Sequence, residues 1–177
     1  MTGDKNQIVG VMRFSYISKG GFAHSHDAQE DQEAMIYDAD RMERRFQLFE
    51  DFALRSLKYQ TDQDFKCVFL ITTTFPKHYR ERLEDLVAGW PPGVIIDKPF
   101  MPQFRAIRMC YEMMEDERCD WYTSFRLDDD DMLDMRFIER MRARDASSKT
   151  ASTITLPVVM YLAPSLTFMW TRPVCST

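Results

Sequence analysis

The sequence predicts an α/β fold, a mostly parallel sheet with helices on both faces. Three observations lead to it. Residues 65–74 have a nearly continuous apolar centre, Cys67-Val68-Phe69-Leu70-Ile71, as expected of a strand buried on both faces of a parallel sheet. Met42, Phe46, Phe49, Ala53 and Leu57 recur at helical spacing with charges between them. A second apolar run, residues 121–127, stops abruptly at Asp128, Asp129, Asp130 and Asp131. Strands that alternate with helices imply a parallel sheet covered on both sides.

Residues 7–16, with Ile8, Val9, Val11, Met12 and Phe14, read as the first strand. Residues 18–40 are polar and read as a long loop. A helix is predicted over 40–59 and the second strand over 65–74. Pro76 opens a helix with Tyr79, Leu83, Leu86 and Val87 on one face. The Gly89-Trp90-Pro91-Pro92-Gly93 segment ends it, and Val94-Ile95-Ile96 forms a short third strand. Pro102 opens a further helix with Phe104, Ile107, Tyr111 and Met114 facing inward. After the acidic run, Asp134 caps a helix over 135–143. Ser147-Ser148-Lys149-Thr150 reads as a loop, and residues 154–162 and 166–170 as two final strands.

A chain of 177 residues with 45% hydrophobic content suits one domain with a sizeable core. The formal net charge is −5, and the aspartate run alone carries four negative charges. The acidity is therefore local, and no Lys/Arg block suggests a nucleic-acid surface. The first residues lack the basic-then-apolar pattern of a signal peptide, and no apolar run reaches the length of a membrane span. Cys67, Cys110, Cys119 and Cys175 show no CxxC spacing. Cys67 and Cys110 sit in apolar patterns and read as buried thiols, which suits a reduced, cytoplasmic protein.

The aspartates carry the functional signal. Clustered carboxylates at the end of an apolar strand repel one another, and burying one unpaired is costly. A divalent cation relieves that repulsion, and a metal-bound diphosphate gives the cation a purpose. The competing reading is a solvated acidic turn that caps the next helix. The strand in front and Met132-Leu133 behind favour the site, because open α/β sheets bind ligands at the carboxyl ends of their strands. Aspartate oxygens are hard ligands suited to Mg²⁺ or Mn²⁺. Strand alternation would put Asp128 and Asp130 on one side and Asp129 and Asp131 on the other, although a turn leaves that register open.

Arg126-Leu127-Asp128-Asp129-Asp130-Asp131-Met132-Leu133 resembles the DxD-type motif of glycosyltransferases with the GT-A fold. Met12-Arg13-Phe14-Ser15, Arg41-Met42-Glu43-Arg44-Arg45-Phe46-Gln47-Leu48-Phe49-Glu50 and Ser56-Leu57-Lys58-Tyr59-Gln60-Thr61-Asp62 are similar to stretches of a bacterial rhamnosyltransferase family. The resemblance implies a GT-A-like domain, a nucleotide-sugar donor, Mn²⁺ or Mg²⁺, and a glycan, lipid-linked or protein acceptor. By position it implies that Asp128 faces the donor's ribose or sugar and that Asp130 and Asp131 are the metal ligands. Asp129 fills a position that varies in the usual motif, so a register shift of one residue stays open. Arg13, at the end of the first strand, is placed to meet a diphosphate or to form a surface ion pair. Arg105 and Arg108 lie on the helix that, in similar transferases, brings basic residues to the donor. Arg126 either binds phosphate or balances the aspartates.

Other readings compete. A metal-dependent nucleotidyltransferase or phosphohydrolase uses the same carboxylate chemistry. A catalytically incomplete nucleotide-sugar-binding domain would keep the site without turnover. No Gly-x-x-x-x-Gly-Lys loop supports a Walker-type NTPase. His24 and His26, beside Asp27, offer two metal ligands at loop spacing, and His78 reads as a helix-surface residue. No Asp or Glu occurs after Asp145 and no His after His78, while related transferases commonly place a catalytic base late in the chain. The expectation is a donor-binding portion within one domain, residues 1–177, truncated on its acceptor side, with the catalytic residue unassigned.

Overall fold

The structure is a computed structural model that describes residues 5–19, 28–145, 153–156 and 167–173. The chain opens with β1 (Asn6–Arg13) and a short β2 (Ser18–Lys19), then α1 (Gln29–Ile36). A long helical stretch comes next without a break: α2 (Ala39–Leu48), a π-helical segment (Phe49–Leu54) and α3 (Arg55–Lys58). After it come β3 (Lys66–Thr72), α4 (Lys77–Val87), β4 (Gly93–Lys98), β5 (Met101–Pro102) and α5 (Gln103–Met114). β6 (Trp121–Asp128), α6 (Phe137–Asp145), β7 (Thr153–Leu156) and β8 (Thr167–Pro173) complete the described chain.

Six strands form one sheet in the order β4-β3-β1-β6-β8-β7, and β2 pairs with β5 in a second, smaller one. β4, β3, β1 and β6 are parallel neighbours. β8 runs antiparallel to β6, and β7 antiparallel to β8. The predicted α/β architecture, a mostly parallel sheet flanked by helices, is what the chain forms, consistent with a Rossmann-like fold.

Side-chain alternation divides the core in two. Ile8 and Met12 of β1 join Cys67, Phe69 and Ile71 of β3 and Phe125 and Leu127 of β6 on one face. The long helical stretch, α4 and α6 cover that face with Met42, Phe46, Phe49, Leu57, Leu83 and Met141. Val9 and Val11, with Val68 and Leu70, point to the other face, where α5 packs through Ala106 and Cys110. Strands covered on both sides need apolar residues at consecutive positions, which explains the unbroken apolar run in β3.

Three expectations are corrected. The predicted loop over 18–40 contains α1, whose only buried residues, Gln32 and Ile36, make too small a stripe to reveal a helix in sequence. Phe104 is not inward but 75% exposed. The small side chains of Ala106 and Cys110 let α5 lie close on the valines, and this sets its phase, with Ile107, Tyr111 and Met114 packed alongside. The helix after the aspartates starts at Phe137, two residues late, because Asp134 first accepts from the Arg136 N–H at 3.0 Å in a turn. His24, His26, Asp27, the 147–150 loop, Cys175 and parts of the two predicted last strands lie outside the described residues. Cys67, Cys110 and Cys119 are buried free thiols, and burial pushes the Cys110 thiol up to about 11. No helix among the described residues is long and apolar enough to cross a membrane.

Gly10 permits a close approach between β1 and β6. A Cβ added there would lie 2.3 Å from Cζ of Phe125, whose ring packs edge-on against Phe137 at 5.3 Å. Gly10→Ala is expected to cost about 1–3 kcal/mol by overpacking. Adding Phe125→Leu should make the double variant less destabilised than the sum of the two single changes in denaturant unfolding. Full additivity would show that the ring does not need this glycine.

Candidate functional site

The strand order reverses between β1 and β6, since β3 and β4 lie on one side of β1 and β6 lies on the other. Open α/β sheets bind ligands in the crevice outside the carboxyl ends of strands at such a reversal. Arg13 ends β1 and Asp128 ends β6, and the parallel register sets them directly opposite. Arg13 Nη2 donates to Asp128 Oδ1 at 2.8 Å, and its Nη1 donates to Gln103 Oε1 of α5 at 2.9 Å. Arg126 Nη2 reaches the same Asp128 oxygen at 3.2 Å. Burial alone would raise the Asp128 pKa, but the charges and hydrogen bonds of Arg13 and then Arg126 outweigh it and hold the carboxyl below its usual range.

The alternation carries through Asp129 and stops at Asp130. The Asp131 N–H donates to the Asp128 carbonyl at 3.2 Å, so the four aspartates close one tight turn. Asp129 swings to the opposite face of the sheet, where Arg45 of α2 waits. Arg45 Nη1 donates to Asp129 Oδ1 at 2.7 Å and to Asp130 Oδ2 at 3.2 Å. The Asp129 side chain is 7% exposed and that of Asp130 36%. Burial pushes the Asp129 carboxyl up to about 6; Arg45 opposes that shift, and the charges of Asp130 and Asp128 add to it. Asp131 is buried. Asp130 is thus the carboxylate in the turn most open to an incoming ligand.

Ser56 of α3 and Gln60, two residues beyond that helix, fix residues 133–138 on the far side of the turn. Ser56 Oγ accepts from the Leu133 N–H at 3.1 Å. Gln60 donates through Nε2 to the Asp134 carbonyl at 2.8 Å and accepts through Oε1 from the Ile138 N–H at 3.1 Å. On the other side of Arg13 the chain leaves β1 through Ser15, whose φ of 51° is left-handed, a conformation that costs about 1 kcal/mol outside glycine. The Ser15 hydroxyl is buried and meets no hydrogen-bond partner among the described residues. The Ile17 N–H donates to Thr72 Oγ1 at 2.9 Å and the Tyr16 hydroxyl to the Pro99 carbonyl at 2.7 Å, which pin the loop.

Among the sequence-predicted residues, the structure brings Arg13 and Asp128 together and places Asp130 and Asp131 in the same turn. Arg105 and Arg108 stand on the exposed side of α5. Arg108 pairs with Glu112 at 2.7 Å, and neither arginine bonds the turn. Sequence reasoning missed Arg45, Ser56, Gln60 and Ser15. Arg45 had one available signal: Arg41, Arg44 and Arg45 form a basic cluster complementary to the acidic run. Among the described residues no three His, Cys, Asp or Glu side chains are grouped to hold a metal by themselves.

A family model described as "Putative rhamnosyl transferase" matches residues 7–169, from β1 into β8. The chain belongs to this family. Membership places it among the glycosyltransferases. No curated protein matches the chain. The stretches of this rhamnosyl transferase family member that carried the resemblance now have a shared place. Residues 41–50 supply Arg45, residues 56–62 supply Ser56 and Gln60, and all of them grip the acidic turn or the segment after it.

The Asp129 shift makes a pH prediction for the metal-free chain. Its folded pKa, about 6, lies above the ordinary aspartate value of 3.8. Below pH 3.8 the carboxyl is protonated folded or unfolded and costs nothing. As pH rises through that window, folding acquires an ionisation penalty that is complete above pH 6, on the order of 3 kcal/mol. In chelator, Asp129→Asn should therefore unfold at higher denaturant than the parent at pH 7.5 and match it at pH 3.5. An Asn variant less stable at pH 7.5 would show that the Arg45 pair outweighs the burial cost.

Proposed function

We propose that this chain transfers a sugar, rhamnose by its family's description, from a nucleotide-sugar donor to a glycan, lipid-linked or protein acceptor, with Mn²⁺ or Mg²⁺ at the acidic turn. One observation carries the reading. The most exposed carboxylate of the turn, Asp130, lies at the strand-order reversal with arginines on both sides of it.

The donor set fits such a cation. Asp130 and Asp131 offer hard oxygens, and Mg²⁺ commonly takes only one or two carboxylates, with substrate phosphates and water filling its other positions. Such a site suits a cation that arrives with its diphosphate. When bound, it would neutralise charge that develops on the departing nucleoside diphosphate. Asp128, oriented by Arg13 and Arg126, would accept from a ribose or sugar hydroxyl. Arg13 is itself held by Gln103, so its guanidinium is set before a phosphate arrives. Arg105 and Arg108 lie in the first turns of α5, whose start sits at the carboxyl edge of the sheet beside Arg13, and that position along the helix supports them as donor contacts. The buried free thiols support a reducing, cytoplasmic setting.

Asp130→Asn should weaken Mn²⁺-dependent binding of a nucleoside diphosphate by about tenfold or more, with the unfolding midpoint preserved. Calorimetry with and without Mn²⁺ measures this. Equal affinity for parent and variant would remove the metal from Asp130. Donor binding without acceptor-dependent transfer would favour a binding domain, and cleavage of nucleotides lacking a sugar would favour a phosphohydrolase.

A further inference from the structure

Arg45 occupies an unusual position. It projects from α2 across the carboxyl edge of the sheet and bonds two neighbouring aspartates through one nitrogen, Asp129 at 2.7 Å and Asp130 at 3.2 Å. The two contacts differ in kind. Asp129 is buried and its bond is short. Asp130 is open to solvent and its bond is long. The Arg45 side chain is itself 29% exposed, so part of it stays open to solvent beside Asp130.

We propose that Arg45 is an exchangeable donor-binding residue. It neutralises Asp130 while the site is empty, and turns to the donor diphosphate when a divalent cation takes that carboxylate. The inference rests on the metal-assisted reading of the acidic turn. Electrostatics favours the exchange. A divalent cation on Asp130 would sit within a few ångströms of a guanidinium, and two cations on one carboxylate repel strongly in a partly dry site. The long bond to Asp130 is the contact that Arg45 gives up. Arg45 need not leave, because Asp129 still anchors it. The diphosphate oxygens that accompany the cation then provide a new acceptor beside the anchored guanidinium, and arginine suits phosphate geometry. Arg41, one helical turn earlier, adds positive charge behind it and is tied to the Ile36 carbonyl at 2.8 Å.

The signature is a pair of opposite effects. In Arg45→Gln, Mn²⁺ alone should bind at least about fivefold more tightly, because its competitor for Asp130 is gone. A nucleoside diphosphate, tested as UDP, GDP and dTDP at saturating Mn²⁺, should bind about tenfold more weakly. Arg45→Lys should move both affinities in the same directions by less. Calorimetry provides both affinities, and denaturant unfolding in chelator reports the fold. A purely structural arginine would weaken both affinities together, and that result would overturn the proposal, as would unchanged affinities. If neither parent nor variant binds Mn²⁺, with or without nucleotide, the metal-assisted reading falls and takes this inference with it. If Mn²⁺ binds both equally, only the exchange falls.

Discussion

The constraint on which this structure depends is the neutralisation of four adjacent carboxylates at the end of a buried strand. Three arginines from three elements pair with Asp128, Asp129 and Asp130: Arg13 from β1, Arg45 from α2 and Arg126 from β6 itself. Each reaches the turn for a different structural reason. The parallel register sets Arg13 opposite Asp128, helix phase aims Arg45, and Arg126 acts on the residue two places along its own strand. The arrangement divides the aspartates. Asp128 belongs to the α5 side of the sheet, while Asp129 and Asp130 belong to the α2 side. A shift of β6 against β1 by one residue would break the Arg13 pair and reverse every inward-facing side chain of β6.

The arginines can do this only if their platforms are rigid. Beneath α2, Phe14 packs edge-on against Phe46 and Phe49 at 4.9 Å each, and Phe49 against Phe69 at 5.4 Å. These rings fill the space between the long helical stretch and the sheet. Phe46 is the immediate neighbour of Arg45, so aromatic packing fixes the root of that side chain. Ser56 and Gln60 then hold the chain that leaves the turn. One helical stretch therefore anchors the site on both sides of the acidic run.

Much of this was legible in sequence, and the reasons for the rest are specific. β3 and β6 announced themselves because both faces are covered, and α4 and α5 because proline opens them. The location of the site was legible because an apolar strand ended in charge. Alternation correctly set Asp128 and Asp129 on opposite sides, but the side taken by Asp130 was not legible, because period two fails inside the turn that the Asp131 N–H closes onto the Asp128 carbonyl. Arg45 was hidden by distance along the chain, since helix spacing says which face a residue lies on but not what it meets. Phe104 was misplaced because its size suggested burial, whereas the smaller Ala106 and Cys110 make the close contact. The α1 helix buries too little to leave a periodic trace.

The π-helical turn at residues 49–54 has a consequence for how this family can diverge. Such a turn is closed by i→i+5 bonds and accommodates an extra residue without interrupting the helix. Here it separates the half that carries Arg41 and Arg45 from the half that carries Ser56 and leads to Gln60, two residues beyond its end. Each half keeps its own angular setting, so neither dictates the other's. Descendants of such a scaffold can therefore acquire new chemistry along the front half while the rear half keeps its grip on the sheet. The helix behaves as two inheritable parts within one continuous element.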